Sequence, residues 1–167
     1  MSTLDIEQTH KIIADAPIGR HIGDRGSRIF AECAGSLELK DGEFLFTKGD
    51  ITTSFFIIAE GRLALVKMKK NKDKPPTILH VFEQGDMVGE LSFIDDTKHS
   101  SSVMALSDTR VLQFTSEKIR PLILKEPQIM FDFMRAVIKR VHYGVLGLNK
   151  QQEALANYIA TAGKGRS

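Results

Sequence analysis

Gly89-Glu90-Leu91-Ser92-Phe93-Ile94-Asp95-Asp96-Thr97-Lys98-His99-Ser100-Ser101-Ser102-Val103 reads as a short loop between two strands, built to cradle an anion. Gly89 lets the backbone approach a ligand. Glu90 follows directly and suits a sugar hydroxyl. Nine residues beyond Glu90 stands a basic residue, His99, followed by the small polar Ser100 and Ser101. An arginine at that place makes a phosphate site, because its guanidinium carries a fork of donors and a permanent charge. Histidine offers at most two donors and is only partly charged at neutral pH.

Outward from this loop, residues 36–115 read as strands and turns. Ser36-Leu37-Glu38-Leu39 alternates, and Phe44-Leu45-Phe46 is bounded by Asp41-Gly42 and Gly49-Asp50. Ser54-Phe55-Phe56-Ile57-Ile58 leads into a tight turn at Glu60-Gly61. Arg62-Leu63-Ala64-Leu65-Val66-Lys67 is expected to return as its partner strand. Thr77-Ile78-Leu79-His80-Val81-Phe82 ends at Gly85-Asp86. Ser101 to Leu106 and Arg110 to Phe114 are expected to pair through Ser107-Asp108. Many short strands at near-regular spacing, with Gly/Asp turns, indicate an all-β barrel or sandwich.

Both flanks are helical in pattern. Leu4, Ile6, Ile12 and Ile13 recur before Pro17; Ile29, Phe30 and Cys33 follow expected breaks at Gly23 and Gly26. Ser116-Glu117 opens a short segment, and Pro127 starts a longer helix, suiting its first turn. Met134, Val137, Val141, Leu148 and Leu155 fall on an approximate a/d stripe. Gly144 and Gly147 interrupt it, each costing about 1 kcal/mol of helix stability relative to alanine. The expected organisation is an N-terminal helical segment (1–35), a β region (36–115), C-terminal helices (116–162) and a flexible tail (163–167).

Composition narrows the classes. A chain of 167 residues with 42% hydrophobic and 26% charged side chains fits one soluble domain with a real core. A net charge of +2 is too small to imply nucleic-acid binding. The N-terminus has no apolar stretch behind a basic start, so no signal peptide is expected, and no window approaches ~18 uninterrupted apolar residues. Cys33 is the only cysteine, which excludes an internal disulfide, fits a reducing cytoplasm and suggests a small core residue. Lys67-Met68-Lys69-Lys70-Asn71-Lys72-Asp73-Lys74-Pro75-Pro76 reads as an exposed loop, either a solvated self-repelling tip or a patch for an acidic partner. Enzyme signatures fail. Gly85 to Glu90 lacks the Gly-Lys-Ser/Thr ending of a P-loop, and Ser100 to Ser102 has no Gly-x-Ser-x-Gly context. His10, His21, His80, His99 and His142 are scattered without metal-ligand spacing. No catalytic residue, metal or resident cofactor is expected.

Three motifs in order resemble the cyclic nucleotide-binding domain family, the β-roll of catabolite activator proteins and of the regulatory subunits of cyclic-AMP-dependent kinases. Lys40-Asp41-Gly42-Glu43-Phe44-Leu45-Phe46-Thr47-Lys48-Gly49-Asp50 resembles the family's first glycine turn. Phe55 to Leu63 resembles its hairpin, and Gly85-Asp86-Met87-Val88-Gly89-Glu90-Leu91-Ser92 resembles the opening of its phosphate-binding cassette. The resemblance covers about residues 36–143. It implies an α+β, mainly β fold: a double-stranded β-helix, or jelly-roll-like β-roll, with N-terminal helices and a long C-terminal helix.

The resemblance also implies a site for cyclic AMP or cyclic GMP. Gly89, Glu90, Leu91 and Ser92 match the first half of the cassette, where a short helix presents N–H groups to the cyclic phosphate and the glutamate takes the ribose 2′-hydroxyl. His99 falls at the arginine position, with Lys98 beside it as a point charge, and Ser100 and Ser101 fall on the small residues that follow. A lost charge-assisted hydrogen bond is worth roughly 1.5–3 kcal/mol, about tenfold to 150-fold in affinity. Gly144 and Val145, without side-chain donors, fall where the activators carry hydroxyl residues over the purine.

Two functions follow as expectations. One is a non-catalytic regulatory protein, a degenerate receptor with weak or no nucleotide binding. It would contact a protein partner or a second copy through Met134, Val137, Val141, Leu148 and Leu155. The other is a stand-alone cAMP/cGMP receptor whose ligand moves the C-terminal helix. An inherited cassette with no ligand, and one that holds another small anion, are the other readings. The stretch after Val141 reads as continued helix, too short for a helix-turn-helix domain, so neither DNA nor a membrane is an expected partner.

Overall fold

The computed structural model describes residues 4–71 and 74–162; the expected flexible tail at 163–167 lies outside the described residues. Helices α1 (Ile6–Asp15) and α2 (Gly19–Cys33) precede eight strands: β1 (Gly35–Leu39), β2 (Phe44–Phe46), β3 (Ser54–Glu60), β4 (Leu63–Lys67), β5 (Thr77–Phe82), β6 (Met87–Val88), β7 (Ser102–Ala105) and β8 (Thr109–Thr115). Helix α3 (Glu90–Asp95) lies between β6 and β7. Helices α4 (Ser116–Ile119), α5 (Leu122–Lys125) and α6 (Pro127–Ala162) follow β8. The strands form two antiparallel four-stranded sheets, ordered β1-β8-β3-β6 and β2-β7-β4-β5. This is the jelly-roll-like β-roll, with N-terminal helices and a long C-terminal helix.

Two strand pairings expected from the sequence are corrected. Arg62 to Lys67 does not return beside Ser54 to Ile58: β3 pairs with β6 and β8, whereas β4 pairs with β5 and β7. Likewise β7 and β8 lie in opposite sheets. The turns at Gly61 and at Ser107-Asp108 are therefore corners that carry the chain from one sheet to the other. They lock together. Arg62 N–H donates to Thr109 Oγ1 at 3.2 Å, the Thr109 hydroxyl donates back to Arg62 O at 3.1 Å, and Leu106 N–H donates to the same carbonyl at 3.0 Å. Gly61 sits at φ +85°, and a Cβ there would meet Thr109 Oγ1 at 2.5 Å and Asp108 O at 2.6 Å. Only glycine lets the two corners approach this closely.

The interior of the roll is apolar. Phe46, Phe56, Ile58, Leu63, Phe82, Val88, Val103 and Val111 form one buried cluster. A second cluster ties the helices to the roll. Phe55 stacks on Phe114 at 4.7 Å, and Phe30 of α2 reaches Phe114 at 5.8 Å and Phe133 of α6 at 5.5 Å. Arg110 of β8 is also fully buried, at 2% exposure, between Glu38 of β1 at 3.0 Å and Glu60 of β3 at 3.6 Å. Its charge is matched by the neighbouring strands of its own sheet, as burial of a guanidinium requires.

Helix α1 opens with a capping box, Asp5 accepting from Gln8 N–H while the Gln8 side chain accepts from Asp5 N–H. Helix α2 bends at Gly23 but runs through Gly26. Gly26 is not a break: it is buried, and a Cβ there would lie 2.8 Å from Ile22 Cβ and 3.3 Å from Ile129 Cγ2. Its lack of a side chain admits the start of α6. Cys33 is half-buried rather than a core residue, and burial pushes its thiol pKa up. Two compact units divide within α6, residues 1–133 and 134–167. In the second unit the helix runs unbroken through Gly144 and Gly147, because intrahelical hydrogen bonding tolerates single glycines at about 1 kcal/mol each.

Candidate functional site

The cassette begins where β6 ends. Gly89 caps α3 in the left-handed region, at φ +81°, and Phe93 N–H bonds back to Gly89 O at 3.1 Å. The first-turn amides, from Glu90 onward, are the ones an α-helix leaves unused within itself. Glu90 and Ser92 are buried, at 8% and 5% exposure, whereas Leu91 is exposed. Helix α3 ends at Asp96, whose φ of +56° stops the helix. Thr97 closes the turn through its N–H and hydroxyl, both donating to Asp95 Oδ1, which hold the Asp95 carboxyl below its ordinary pKa. Phe93 anchors the helix edge-on against Phe55, with centroids 5.0 Å apart.

His99 is brought beside Gly89 but turned inward. Its backbone is clamped to the turn after β2, with His99 N–H donating to Asp50 O and Gly49 N–H donating to His99 O, both at 2.9 Å. Its ring is 6% exposed and lies on Phe46, 3.6 Å between centroids and 9° between planes. Nε2 is 2.8 Å from Thr52 Oγ1, and Nδ1 is 3.1 Å from Ser92 Oγ. Thr52 directs its own hydroxyl proton to Ser54 O at 3.3 Å, so it accepts from Nε2–H, and a neutral ring then takes the Ser92 hydroxyl proton at Nδ1. Burial lowers the pKa of His99, and the Asp50 carboxylate pulls it only partly back. Asp50 is itself held below the usual carboxylate range by the N–H and hydroxyl of Thr47, which both donate to its Oδ2.

The remaining cassette residues are spread around this ring. Lys98 and Ser100 are exposed and Ser101 is half-buried. The buried serine of the run is Ser102, whose Oγ accepts from Lys48 N–H at 2.9 Å. The stripe on α6 divides. Val137 is buried at 3% exposure and Met134 is half-buried, while Val141, Leu148 and Leu155 are exposed. The exposed apolar stripe includes Ile138, Val145 and Ile159, which the a/d reading from Met134 passes over. Gly144 and Val145 are exposed too.

Sequence reading also passed over Thr52 and Phe46 as site residues. Both lie more than 40 positions from His99, and only the sheet topology brings them together. Among the described residues no group of three or more His, Cys, Asp or Glu is placed to hold a metal ion. No described helix is long and apolar enough to cross a membrane. An open groove between α1 and the ends of β3 and β5, lined by Gln8, Lys11, Asp15, Glu60 and Gln84 among others, shares no residue with the cassette.

The β-roll with a glycine-started helix between β6 and β7 is the fold of cyclic nucleotide-binding domains. The family model described as Cyclic nucleotide-binding domain matches residues 36–126, and the chain belongs to that family. It is 30% identical over 104 residues to Lysophospholipase NTE1 of Cryptococcus neoformans var. neoformans serotype D, covering 62% of this chain and 6% of that protein. It is 31% identical over 103 residues to the transcriptional activator protein Anr of Pseudomonas protegens, covering 62% of this chain and 41% of that protein. The chain thus spans less than half the length of either relative. A solved cyclic nucleotide-binding domain from Methylobacillus flagellatus shares the fold, with a TM-score of 0.68 at 17% identity over 87% of this chain and 83% of that one.

Proposed function

We propose that this chain is a non-catalytic regulatory module of the cyclic nucleotide-binding type, which acts by contact through α6 and grips nucleotides weakly or not at all. The observation that carries the reading is the ring of His99. Both nitrogens are engaged, by Ser92 and Thr52, and one face is covered by Phe46. A cyclic phosphate at Gly89 would meet helix-start amides without a forked, charged partner from this position. Lys98 nearby is exposed and offers a single point charge, without arginine's planar geometry.

The contact surface in this reading is the exposed stripe Ile138, Val141, Val145, Leu148, Leu155 and Ile159. The steps are three, four, three, seven and four residues, a heptad spacing that suits a two-helix seam. Gln152 occupies the heptad place between Leu148 and Leu155, and a single polar residue in such a seam sets register at some cost in stability. A second copy or another regulator's helix fits this pattern.

A second reading keeps the domain as a cAMP or cGMP receptor whose ligand moves α6. The left-handed Gly89 and the buried Glu90 favour it, because they preserve the first half of the cassette. Calorimetric titration of the whole chain with each nucleotide, at acid and neutral pH, separates the two. Binding weaker than about 1 μM, roughly 8 kcal/mol, supports the weakened grip; tighter binding overturns it in favour of the receptor.

A further inference from the structure

The hairpin between β4 and β5 carries features that neither the cassette nor α6 uses. Strand β5 is an edge strand, bonded only to β4. Leu65 is opposite His80 and Val66 opposite Ile78, so Leu79 is an inserted residue without a partner on β4. This bulge breaks the alternation that would bury every second residue, and both Ile78 and Leu79 are exposed, at 51% and 53%. Met68, just past the Lys67–Thr77 pair, is exposed to the same degree. Around these three apolar side chains stand Lys67, Lys69, Lys70 and Lys74, all exposed and none in an ion pair among the described residues.

The edge is blocked against another strand. Pro75 and Pro76 precede β5, the bulge distorts its outer backbone, and lysines crowd its start. What the hairpin offers is therefore side chains, not backbone hydrogen bonds. Seven side chains are also few against the roughly 20–30 residues a side of a stable protein interface. A membrane surface sets no such minimum: lysines add attraction one by one to anionic headgroups, and small apolar groups enter the boundary with the acyl chains.

We propose that the β4–β5 hairpin docks this domain peripherally on an anionic lipid surface, the four lysines facing headgroup phosphates and carboxylates and Met68, Ile78 and Leu79 entering the interface. No part of the chain need cross the bilayer. The occupant is set by charge complementarity, and by the exposure of apolar groups beside four exposed cations that form no ion pair among the described residues.

The test is co-sedimentation of the full chain with vesicles of phosphatidylcholine alone and of phosphatidylcholine with roughly 30% phosphatidylserine. Capture by the anionic vesicles only, lost as salt rises, is the expected result. Each lysine removed should weaken partitioning about fivefold, so K67Q/K69Q/K70Q should lose about a hundredfold. I78S/L79S should weaken binding while leaving its salt dependence. All five positions are exposed, and the wild-type comparison of the two vesicles decides even if a variant misfolds. Equal capture by neutral vesicles, no capture by anionic ones, or undiminished capture of the triple variant would each overturn the proposal. Retention on immobilised polyglutamate without vesicle capture would also overturn it and assign the hairpin to an acidic protein.

Discussion

The imidazole of His99 lies flat on the ring of Phe46, joining the cassette loop to the interior of the β-roll. That contact, with the bonds to Ser92 and Thr52, buries the ring beside Gly89 of the cassette. Phe46 belongs to the core cluster, Ser92 to α3 and Thr52 to the turn before β3. His99 bonds or stacks with all three, so the strength of the site and its stability are linked through one side chain.

Replacing His99 with Arg should strengthen cyclic nucleotide binding. A guanidinium is too long for the pocket between Phe46, Ser92 and Thr52, and its obligatory charge favours an outward position beside Gly89. The gain of a charge-assisted pair is about 1.5–3 kcal/mol, so calorimetry should show an increase of tenfold or more. No gain in affinity with the fold intact would show that the cassette is closed for another reason.

Stability should fall on acidification. Burial lowers the folded-state pKa of His99 below 6.5, its ordinary value, so the folded chain binds this proton less readily than the unfolded chain. The contribution is complete above about pH 6.5 and is lost as pH falls through the lowered folded value. Thermal melts between neutral and mildly acid pH should show a decline that is shallower in His99→Gln. Identical slopes in both proteins would assign the decline to other groups.

The corner at Gly61 should not accept a side chain. Gly61→Ala places a Cβ against Thr109 and Asp108 at a left-handed φ, and the crossing corners must part. A loss of about 2 kcal/mol or more in chemical denaturation is expected. Gly144→Ala, in open space on α6, should by contrast gain about 1 kcal/mol of helix stability.

Neutralising both partners of Arg110, as Glu38→Gln with Glu60→Gln, leaves a buried guanidinium without a counter-charge. Fully buried pairs lose about 3–5 kcal/mol when broken this way. Both glutamates are half-exposed, so water brings the expected loss nearer about 2 kcal/mol. Denaturant midpoints of the single and double variants will show whether the two carboxylates share the charge.

Association through α6 should fail with charge on its exposed stripe. Leu148→Lys and Leu155→Lys alter residues that are 60% and 59% exposed, so the fold should survive while a dimer or partner complex is lost. Val137 is unsuitable for this test: it is buried, and charge there would unfold the helix start rather than report on a partner. Light scattering that finds the same mass in wild type and both variants would remove self-association.

Much of this protein is written locally. Glycine turns at Gly42, Gly61 and Gly85, apolar strand runs between them and a proline at the start of α6 mark the elements, because turn conformations and strand burial depend on neighbouring residues. The cassette is legible for the same reason, as Gly89 and Glu90 are adjacent in the chain. What the sequence could not reveal is which strands pair. Gly61 reads as a hairpin turn, yet it is a corner between sheets, a difference made by Thr109 some 48 positions away. The orientation of His99 was decided the same way. Its residue type announces a weak cation, but Phe46, Thr52 and Ser92 surround its ring, and burial favours its neutral form. Those contacts exist only once two sheets have closed over a common core, and hydrophobic burial, which drives that closure, carries no address in the chain.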